Sequence, residues 1–585
     1  MTDKIIKGSG GALGGSPPPP PQPTRAPDTL NSRQFVSILD LISEGEIEGF
    51  ATASKEGHTI FSTPYNIASL KDIFLNDTPV LKSTANSLAP ITSDFNFQSV
   101  ELQTRIGTAN QGAITGVEIE PSQNLVGIGV TVTNSTPVTR QIADKSPNPN
   151  PDAAKVTITF PQLQKVTDQG DLLGSSVQLQ IQVQYNGGGF TPIITDTITG
   201  RTADAYQKEY RVTLTGAFPV DIRVVRLTAD STSSNLIDAF SWTSLGEIVD
   251  DPQTYPNSAY FALRLDSQQF SSIPNRSYRV RGVKVRIPGA GASNSGTPTV
   301  NLQTGRIQYP PNYIFNGTMG AAVWCSCPAM ILLDLLTTER YGFGTHIIDS
   351  NLDLFSFVAA SRYANELVDD GFGGQEARFS CNVNLQGSME AYQLINELAG
   401  VMRCFPIWSE GSVTITQDKP TDPSYLFSLA NVGEGGFSYS GSSLKQRHTV
   451  ISVSYFNMDS REIDYEVVED TAAQAKLGIV KKDVKAFACT SRGQAQRLGK
   501  AILFSEQNES EIVSFTTSID AGAIVRPGSV ISVNDPVRGG ERRSGRINTA
   551  TTTQITVDNT QDLDTFTGTN KKCSVILPNG SVETK

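Results

Sequence analysis

The stretch Val177–Tyr185, VQLQIQVQY, constrains the fold more than any other part of the chain. Val177, Leu179, Ile181, Val183 and Tyr185 alternate without a break with Gln178, Gln180, Gln182 and Gln184. A period of two is the repeat of a β-strand, so the five apolar side chains share one face and the four amides share the other. One buried face and one wet face per strand argue for an antiparallel sheet, hence a sandwich or a barrel. Asn186–Gly189 supply the turn that follows. YRVTLTG at 210–216 repeats the alternation through Tyr210, Val212 and Leu214, and DIRVVRL at 221–227 adds a further strand. The whole stretch from about 96 to 250 reads as β, and 257–310 continues it. There SYRVRGVKVRIP (277–288) alternates until Gly282, where a bulge or bend is expected.

The rest of the chain is organised differently. Glycines 8, 10, 11, 14 and 15 precede five prolines, Pro17–Pro21. Glycine gives flexibility and a proline run gives a stiff extended rod. The segment is therefore either a disordered tail or an arm that orders against a neighbouring subunit. ILDLISEGEIEGF (38–50) follows. Its apolar run over 33–43 predicts a short helix, stopped at Ser43 with Gly45 able to take the left-handed conformation. IFL at 73–75 before Asn76-Asp77-Thr78-Pro79 predicts a strand and turn. Beyond 315 helices are expected over 329–338, after Ser350 and Asp353 at capping-box spacing, and over 389–399 with a stop at Gly400. A hairpin through Glu410-Gly411 follows, with Val413 and Ile415 on one face, making an α+β region. From about 445 come the strand TVISVSYF, a helix capped by Ser491 and Gln494 that runs through Leu503, and further short strands, the pattern of a small barrel. At about 100 to 200 residues per domain, 585 residues suggest about three to five domains.

Composition excludes several functions. The net charge is -11 and the pI about 5.0, the opposite of the basic surface that wraps duplex DNA. An acidic surface instead suits a conduit through which DNA passes without sticking. Cys325, Cys327, Cys381, Cys404, Cys489 and Cys573 show no C-x-x-C spacing and are far too sparse for a disulfide scaffold, so a reduced cytoplasmic place of synthesis is expected. No run reaches the length of a membrane span, and the N-terminus lacks the apolar core of a secretory signal. The histidines, His58, His346 and His448, lie far apart and outside any metal-binding pattern, so neither metal nor cofactor is expected. No G-x-S-x-G elbow or Walker A loop occurs. RLGKA around Gly499-Lys500 lacks the Ser or Thr of a phosphate loop. Cys325 and Cys489 have no histidine partner implied by spacing. DDGFGGQE (Asp369–Glu376) lacks the alternating acids of a calcium loop and reads as a turn. Arg538, Arg542, Arg543 and Arg546 in VRGGERRSGR could meet an acidic neighbour or a nucleic acid backbone, or simply solvate a hairpin tip. No catalytic residues emerge, and the chain is expected not to be an enzyme.

Seven stretches taken in order carry a resemblance: DLISEGEIEGF (40–50), IFLNDTPV (73–80), ERYGFG (339–344), DGFGGQEARFSCNVNL (370–385), MRCFPIW (402–408), LKQRHTV (444–450) and FACTSRGQAQRLGKAIL (487–503). Over about 33–560 they resemble the N-terminal half of the lambda-type phage tail tip attachment protein J family, the host specificity proteins. The resemblance implies a multidomain, mainly β trimer. Two hub β-barrels of related fold form a pseudo-sixfold ring, with an α+β domain and an inserted antiparallel β-sandwich. Mapped here, it implies a Gly/Pro-rich flexible arm at 1–30, a first barrel part at 31–95, the inserted sandwich at 96–250, the continuing hub β domain at 251–314, the α+β domain at 315–443 and, at 444–585, the second barrel with a capping helix and the start of a following module. It implies a structural hub that closes the distal tail tube, adapts a sixfold tube to a threefold tip and takes part in host attachment and DNA ejection. The implied partners are two further copies, other distal tail proteins and the tape measure protein, with DNA passing through the lumen without specific binding. The implied place is the distal end of the tail in the virion. The chain stops at Lys585, without the family's receptor-binding half. Either it is part of a longer product, or another chain carries the central fibre and meets the outer-membrane receptor. Two rival readings are a receptor-binding adhesin and a tip-associated cell-wall hydrolase or peptidase.

Overall fold

The computed structural model describes residues 23–584 except 31, 33–34, 53–66, 87–89, 99, 115–121, 250–253, 267–268, 271, 388, 410, 442–446, 540–544, 559–571 and 579–580. The chain divides into two compact units. One is Met1–Ile42 with His58–Arg279, and the other is Ser43–Gly57 with Val280–Lys585. The fold is mainly β, as the alternation predicts.

The first unit is dominated by a sandwich of two four-stranded antiparallel sheets. In one, Ser175–Tyr185 lies between Thr191–Gly200 and Val220–Arg226, with Val138–Ile142 outermost. In the other, Ala153–Phe160 and Phe240–Val249 are central, flanked by Tyr206–Thr213 and Ser122–Val132. Val177, Leu179, Ile181 and Val183 are fully buried against Ile158, Phe160, Phe240 and Trp242, and the Trp242 indole donates to the Ser244 carbonyl at 2.8 Å. On the opposite face Gln178 and Gln180 donate across the strand pair to the Thr197 and Thr195 hydroxyls at 3.3 and 3.0 Å. The amide face is therefore a cross-strand ladder.

Residues 24–30 lie along this sandwich. The amides of Ala26 and Thr29 donate to the carbonyls of Leu172 and Arg201, each at 2.9 Å. The buried Arg201 guanidinium reaches back to the Ala26 carbonyl and the Asp28 carboxylate. Gly200, at φ +151°, lets the segment come close, since a Cβ there would sit 2.6 Å from Thr29 Oγ1. Pro17–Pro21 lie outside the described residues.

The helix expected over 33–43 is instead a strand, Phe35–Glu44. It joins a sheet in the order Phe35–Glu44, Ser258–Asp266, Glu101–Ile106. Val36, Ile38 and Ile42 are β-branched, and the neighbouring strand is almost wholly buried, so a partner more than 200 residues away overrides the local pattern. Asp40 then receives the Arg276 Nε at 2.7 Å and the Tyr278 hydroxyl. Burial works against its charge, but these donors hold its carboxyl below the ordinary value. The turn at 76–79 is as expected: Asn76 and Asp77 adopt φ +48° and +63° between Ile73–Leu75 and Thr78–Pro79.

The second unit contains the helices. Pro328–Thr337, Leu354–Ala364 and Ala391–Val401 pack around Leu332, Leu333, Leu336, Phe357, Leu398 and Met402. The cap of the middle helix is Asp353, which accepts the Ser356 amide, rather than Ser350. The third helix runs through Gly400 instead of stopping there. The hairpin pairs Cys404–Ser409 with Ser412–Gln417. Further on, Val450–Asn457 pairs antiparallel with Glu462–Glu469 and parallel with Lys481–Lys485, and the helix Arg492–Asn508 covers one face through Ala495 and Leu503. Ser491 caps it as expected, accepting the Gln494 amide at 3.2 Å. Gly499 is a packing contact rather than a phosphate cradle, since a Cβ there would lie 2.8 Å from Val468 Cγ2. Among the described residues the strands form sheets of two to four members, and no closed barrel is present.

Candidate functional site

Of the seven family-like stretches, IFLNDTPV (73–80) lies in the first unit. The other six, the earliest of them from Ser43 onward, converge within the second unit in two places. In the first, SEGEIEGF meets ERYGFG across nearly 300 residues. Glu44 pairs with Arg340, and Glu46 accepts from the Lys284 ammonium at 2.7 Å. Gly45 stands at φ +98°, and a Cβ there would lie 3.0 Å from the Tyr341 ring and 3.2 Å from Val283. The glycine therefore answers two demands at once, a left-handed backbone and an aromatic ring laid against it. The Tyr341 hydroxyl donates to Asp334 at 2.6 Å. Burial pushes the Asp334 carboxyl up from its ordinary value, against that bond.

The second place surrounds the start of the helix Arg492–Asn508. Glu376, from the GGQE turn, accepts from the Ser491 hydroxyl and from Arg497 Nη1. Gln494 is locked by a reciprocal pair with Ser380, receiving the Ser380 amide at 2.9 Å and donating to its carbonyl at 3.1 Å. Asn382 donates to the Thr490 hydroxyl, and its amide to the Ala488 carbonyl, each at 2.9 Å. Arg403 reaches the Arg497 carbonyl at 3.2 Å. Gly493 has no room for a side chain, since a Cβ would be 2.6 Å from the Asp370 carbonyl. Farther along the helix, Glu506 takes both the His448 amide and its ring Nδ1 at 2.9 Å. Four of the seven stretches thus form one polar seam in which acids and guanidiniums bond to one another and to backbone.

Of the candidates weighed for chemistry, Glu376 and His448 are part of the seam and the others lie outside it. Asp369–Glu376 is a hairpin turn in which Asp370 accepts the amides of Phe372 and Gly374 at 2.7 and 2.9 Å. Arg538 pairs with Glu511 and lies over the Tyr439 ring. The Arg546 amide donates to Asp558, and Arg542 and Arg543 lie outside the described residues. His346 is exposed, His448 belongs to the seam, and His58 lies outside the described residues. Among the described residues no group of three or more His, Cys, Asp or Glu could hold a metal ion.

Five of the six cysteines are buried and Cys573 is exposed. Burial pushes the thiols of Cys381 and Cys404 up to about 12 and that of Cys489 up to about 11. A thiolate is the reactive form. At pH 8, therefore, an aromatic disulfide reagent is expected to react with one thiol in the folded chain and with six in denaturant. A second fast thiol in the folded state would contradict this burial.

The boundaries of the sandwich decide the kinship. Residues 122–251 match the family described as the tip attachment protein J FNIII-A domain, the span from Ser122–Val132 to Phe240–Val249, the first and last strands of the sandwich in chain order. Residues 390–549 match a second family, described as a phage tail protein. The tip attachment protein J of Escherichia phage SECphi27 is 30% identical over 528 residues, 90% of this chain and 40% of that protein. That of Escherichia phage SECphi4 is 30% identical over 572 residues, 96% of this chain and 46% of that protein. The chain is a relative of phage tip attachment protein J. It therefore stands among bacteriophage tail proteins and spans less than half the length of these two J proteins. Among solved structures, the 43 kDa tail protein of prophage MuSo2 from Shewanella oneidensis aligns at 10% identity and a TM-score of 0.22, covering 68% of this chain and 90% of that one. At that score the likeness carries no argument. The J kinship runs through both units, and the tail protein family matches the side of the seam that holds Arg403, His448, Ser491, Gln494 and Arg497 but not the side that holds Glu376, Ser380 and Asn382.

Proposed function

We propose that the chain is a structural hub of a phage tail tip. In this role it closes the distal tail tube as a homotrimer, adapts a sixfold tube to a threefold tip, and takes part in host attachment and DNA ejection without catalysis. Its partners are then other distal tail proteins and the tape measure protein. Receptor contact falls to a further part of the product or to another chain. The observation that carries the reading is the polar seam. Four of the seven family-like stretches converge there on bonds that brace one element against another, as suits a structural hub, rather than lining a cleft with unengaged acids or nucleophiles. The net charge of -11 suits a lumen that DNA must traverse. Antibodies raised against this chain, imaged on intact virions, are expected to label the distal end of the tail. Labelling of the capsid or of the tail shaft would overturn the reading.

A further inference from the structure

Arg403 and Lys419 flank the hairpin of Cys404–Ser409 and Ser412–Gln417 at its open end, and there cations gather over two aromatic rings. The rings of Tyr363 and Phe379 lie 6.3 Å apart, centre to centre. Arg378 stands 4.2 Å and Lys419 5.6 Å from the centre of the Tyr363 ring, and Arg403 stands 5.8 Å from that of Phe379. Arg497 joins them, donating to the Arg378 carbonyl at 3.0 Å while its own carbonyl receives Arg403 at 3.2 Å.

These charges are unequally met. Arg378 pairs with Glu366 and Arg497 with Glu376, yet the Nε of each is buried with no hydrogen-bond partner among the described residues. Arg403 touches only the Arg497 carbonyl and the Phe379 ring, and Lys419 only the Tyr363 ring, so among the described residues neither has an ion pair. Asp418 acts on Arg403 through space, but it is exposed and its carboxylate pairs with neither cation. Burial pulls the Arg403 guanidinium down from its ordinary value, and Arg497 and Arg378 add to the pull. A half-buried cation without an acid costs stability. A chain with 58 acids against 47 bases has acids to place there, and it leaves these two cations unmatched.

The site also selects among anions. Phe379 is buried and Tyr363 carries two cations, so no bare ring is left for a nucleic acid base to stack on. One guanidinium and one ammonium match one or two carboxylates rather than a run of phosphates. We propose that Arg403 and Lys419 receive the carboxylates of an acidic segment of another distal tail protein. Arg403 supplies a forked donor and Lys419 a point charge, while Arg378 and Arg497 raise the local positive potential. The proposal rests on the tail tip reading above and names a surface through which the hub holds a neighbour.

Carbodiimide coupling in purified tails tests it. A carboxylate adds to the carbodiimide, a lysine Nζ that has given up its proton attacks the activated carbonyl, and the urea leaves. The net change moves one water from the ion pair to the reagent, and only groups already in contact are joined. Lys284 and Glu46, 2.7 Å apart in this chain, are the internal standard. Mass spectrometry is expected to find Lys419 joined to a Glu or Asp of a different tail protein. Tails carrying Lys419→Arg, which keeps the charge and removes the amine, are expected to lose that product and keep the one between Lys284 and Glu46. Arg403→Asn with Lys419→Gln is expected to lower the amount of this chain recovered in tails at least about tenfold. The isolated double variant is expected to melt as the unaltered chain does, because neither cation has an ion pair to lose and Asn tolerates the φ of +54° at 403. If Lys419 is joined only to acids of this chain, or stays unmodified while Lys284 reacts, the proposal fails and the hub reading stands. If the double variant enters tails undiminished, the proposal fails in the same way. If this chain is absent from purified tails, the hub reading fails and takes the proposal with it.

Discussion

Asp238→Ala is expected to destabilise the sandwich by about 3 kcal/mol, because it strands a buried guanidinium. Arg226 and Asp238 are 2% and 6% exposed at the side chain, and Nη2 meets Oδ2 at 2.7 Å. Arg226 also donates to the Asp238 and Thr228 carbonyls at 2.6 and 3.0 Å, and Asp230 stands 3.2 Å from its Nε. These remaining partners keep the loss near the lower end of the about 3–5 kcal/mol seen when a buried pair is broken. Amide exchange resolves the effect, because the chain has two units and a single unfolding transition is not assured. Amides of Val220–Arg226 and Phe240–Val249 are expected to exchange about 100-fold faster, while those of Pro328–Thr337 keep their native rates. Replacing both partners by apolar residues, Arg226→Met with Asp238→Leu, is expected to recover most of the loss. Unchanged exchange in Asp238→Ala would mean that the carbonyls and Asp230 alone satisfy the arginine.

How much of this was legible in the sequence depends on how local each signal is. The VQLQIQVQY strand is legible because the face of each residue follows from its neighbours. Ser491 is legible as a cap because cap and first turn lie within four residues. The strand Phe35–Glu44 is not, because what makes it a strand is Ser258–Asp266, and nothing in ILDLISE records that partner. The cap at Asp353 was displaced by three residues because Ser350 offers the same chemistry one turn earlier, and only tertiary context chooses between them. A small barrel could not be told from an open sheet, since both give short alternating strands and differ only in whether the last strand returns to the first. The two convergence points were half legible. Their stretches stood out as family-like, but the pairings Glu44 with Arg340 and Glu376 with Arg497 join residues whose separation in the chain carries no spacing signal.

Gly342→Ala is expected to open the first of the two convergence points at a cost of about 2–3 kcal/mol. Gly342 follows the helix Pro328–Thr337, whose last carbonyls need donors. The chain supplies them by turning back on the helix end: the Phe343 amide donates to the Leu335 carbonyl at 2.9 Å, and the amides of Gly342 and Gly344 donate to Thr338 at 3.1 Å. That turn leaves no space at Gly342, where a Cβ would lie 2.1 Å from the Leu335 carbonyl oxygen and 2.8 Å from that of Thr338. Both obstacles are backbone and cannot swing aside, so the turn itself must move. Tyr341 and Arg340 move with it, and they are the residues that rest against Gly45 and pair with Glu44. Trypsin reads the outcome directly. Cleavage after Arg340 is expected to be at least about tenfold faster in Gly342→Ala than in the unaltered chain, in line with a loss above about 1.4 kcal/mol. Glu44→Gln, which removes the ion pair and leaves the turn intact, is expected to change the rate by less than about threefold, the modest effect of a half-exposed pair. If the two variants are cleaved equally fast, the ion pair rather than the close approach of the backbone holds the ERYGFG turn in place.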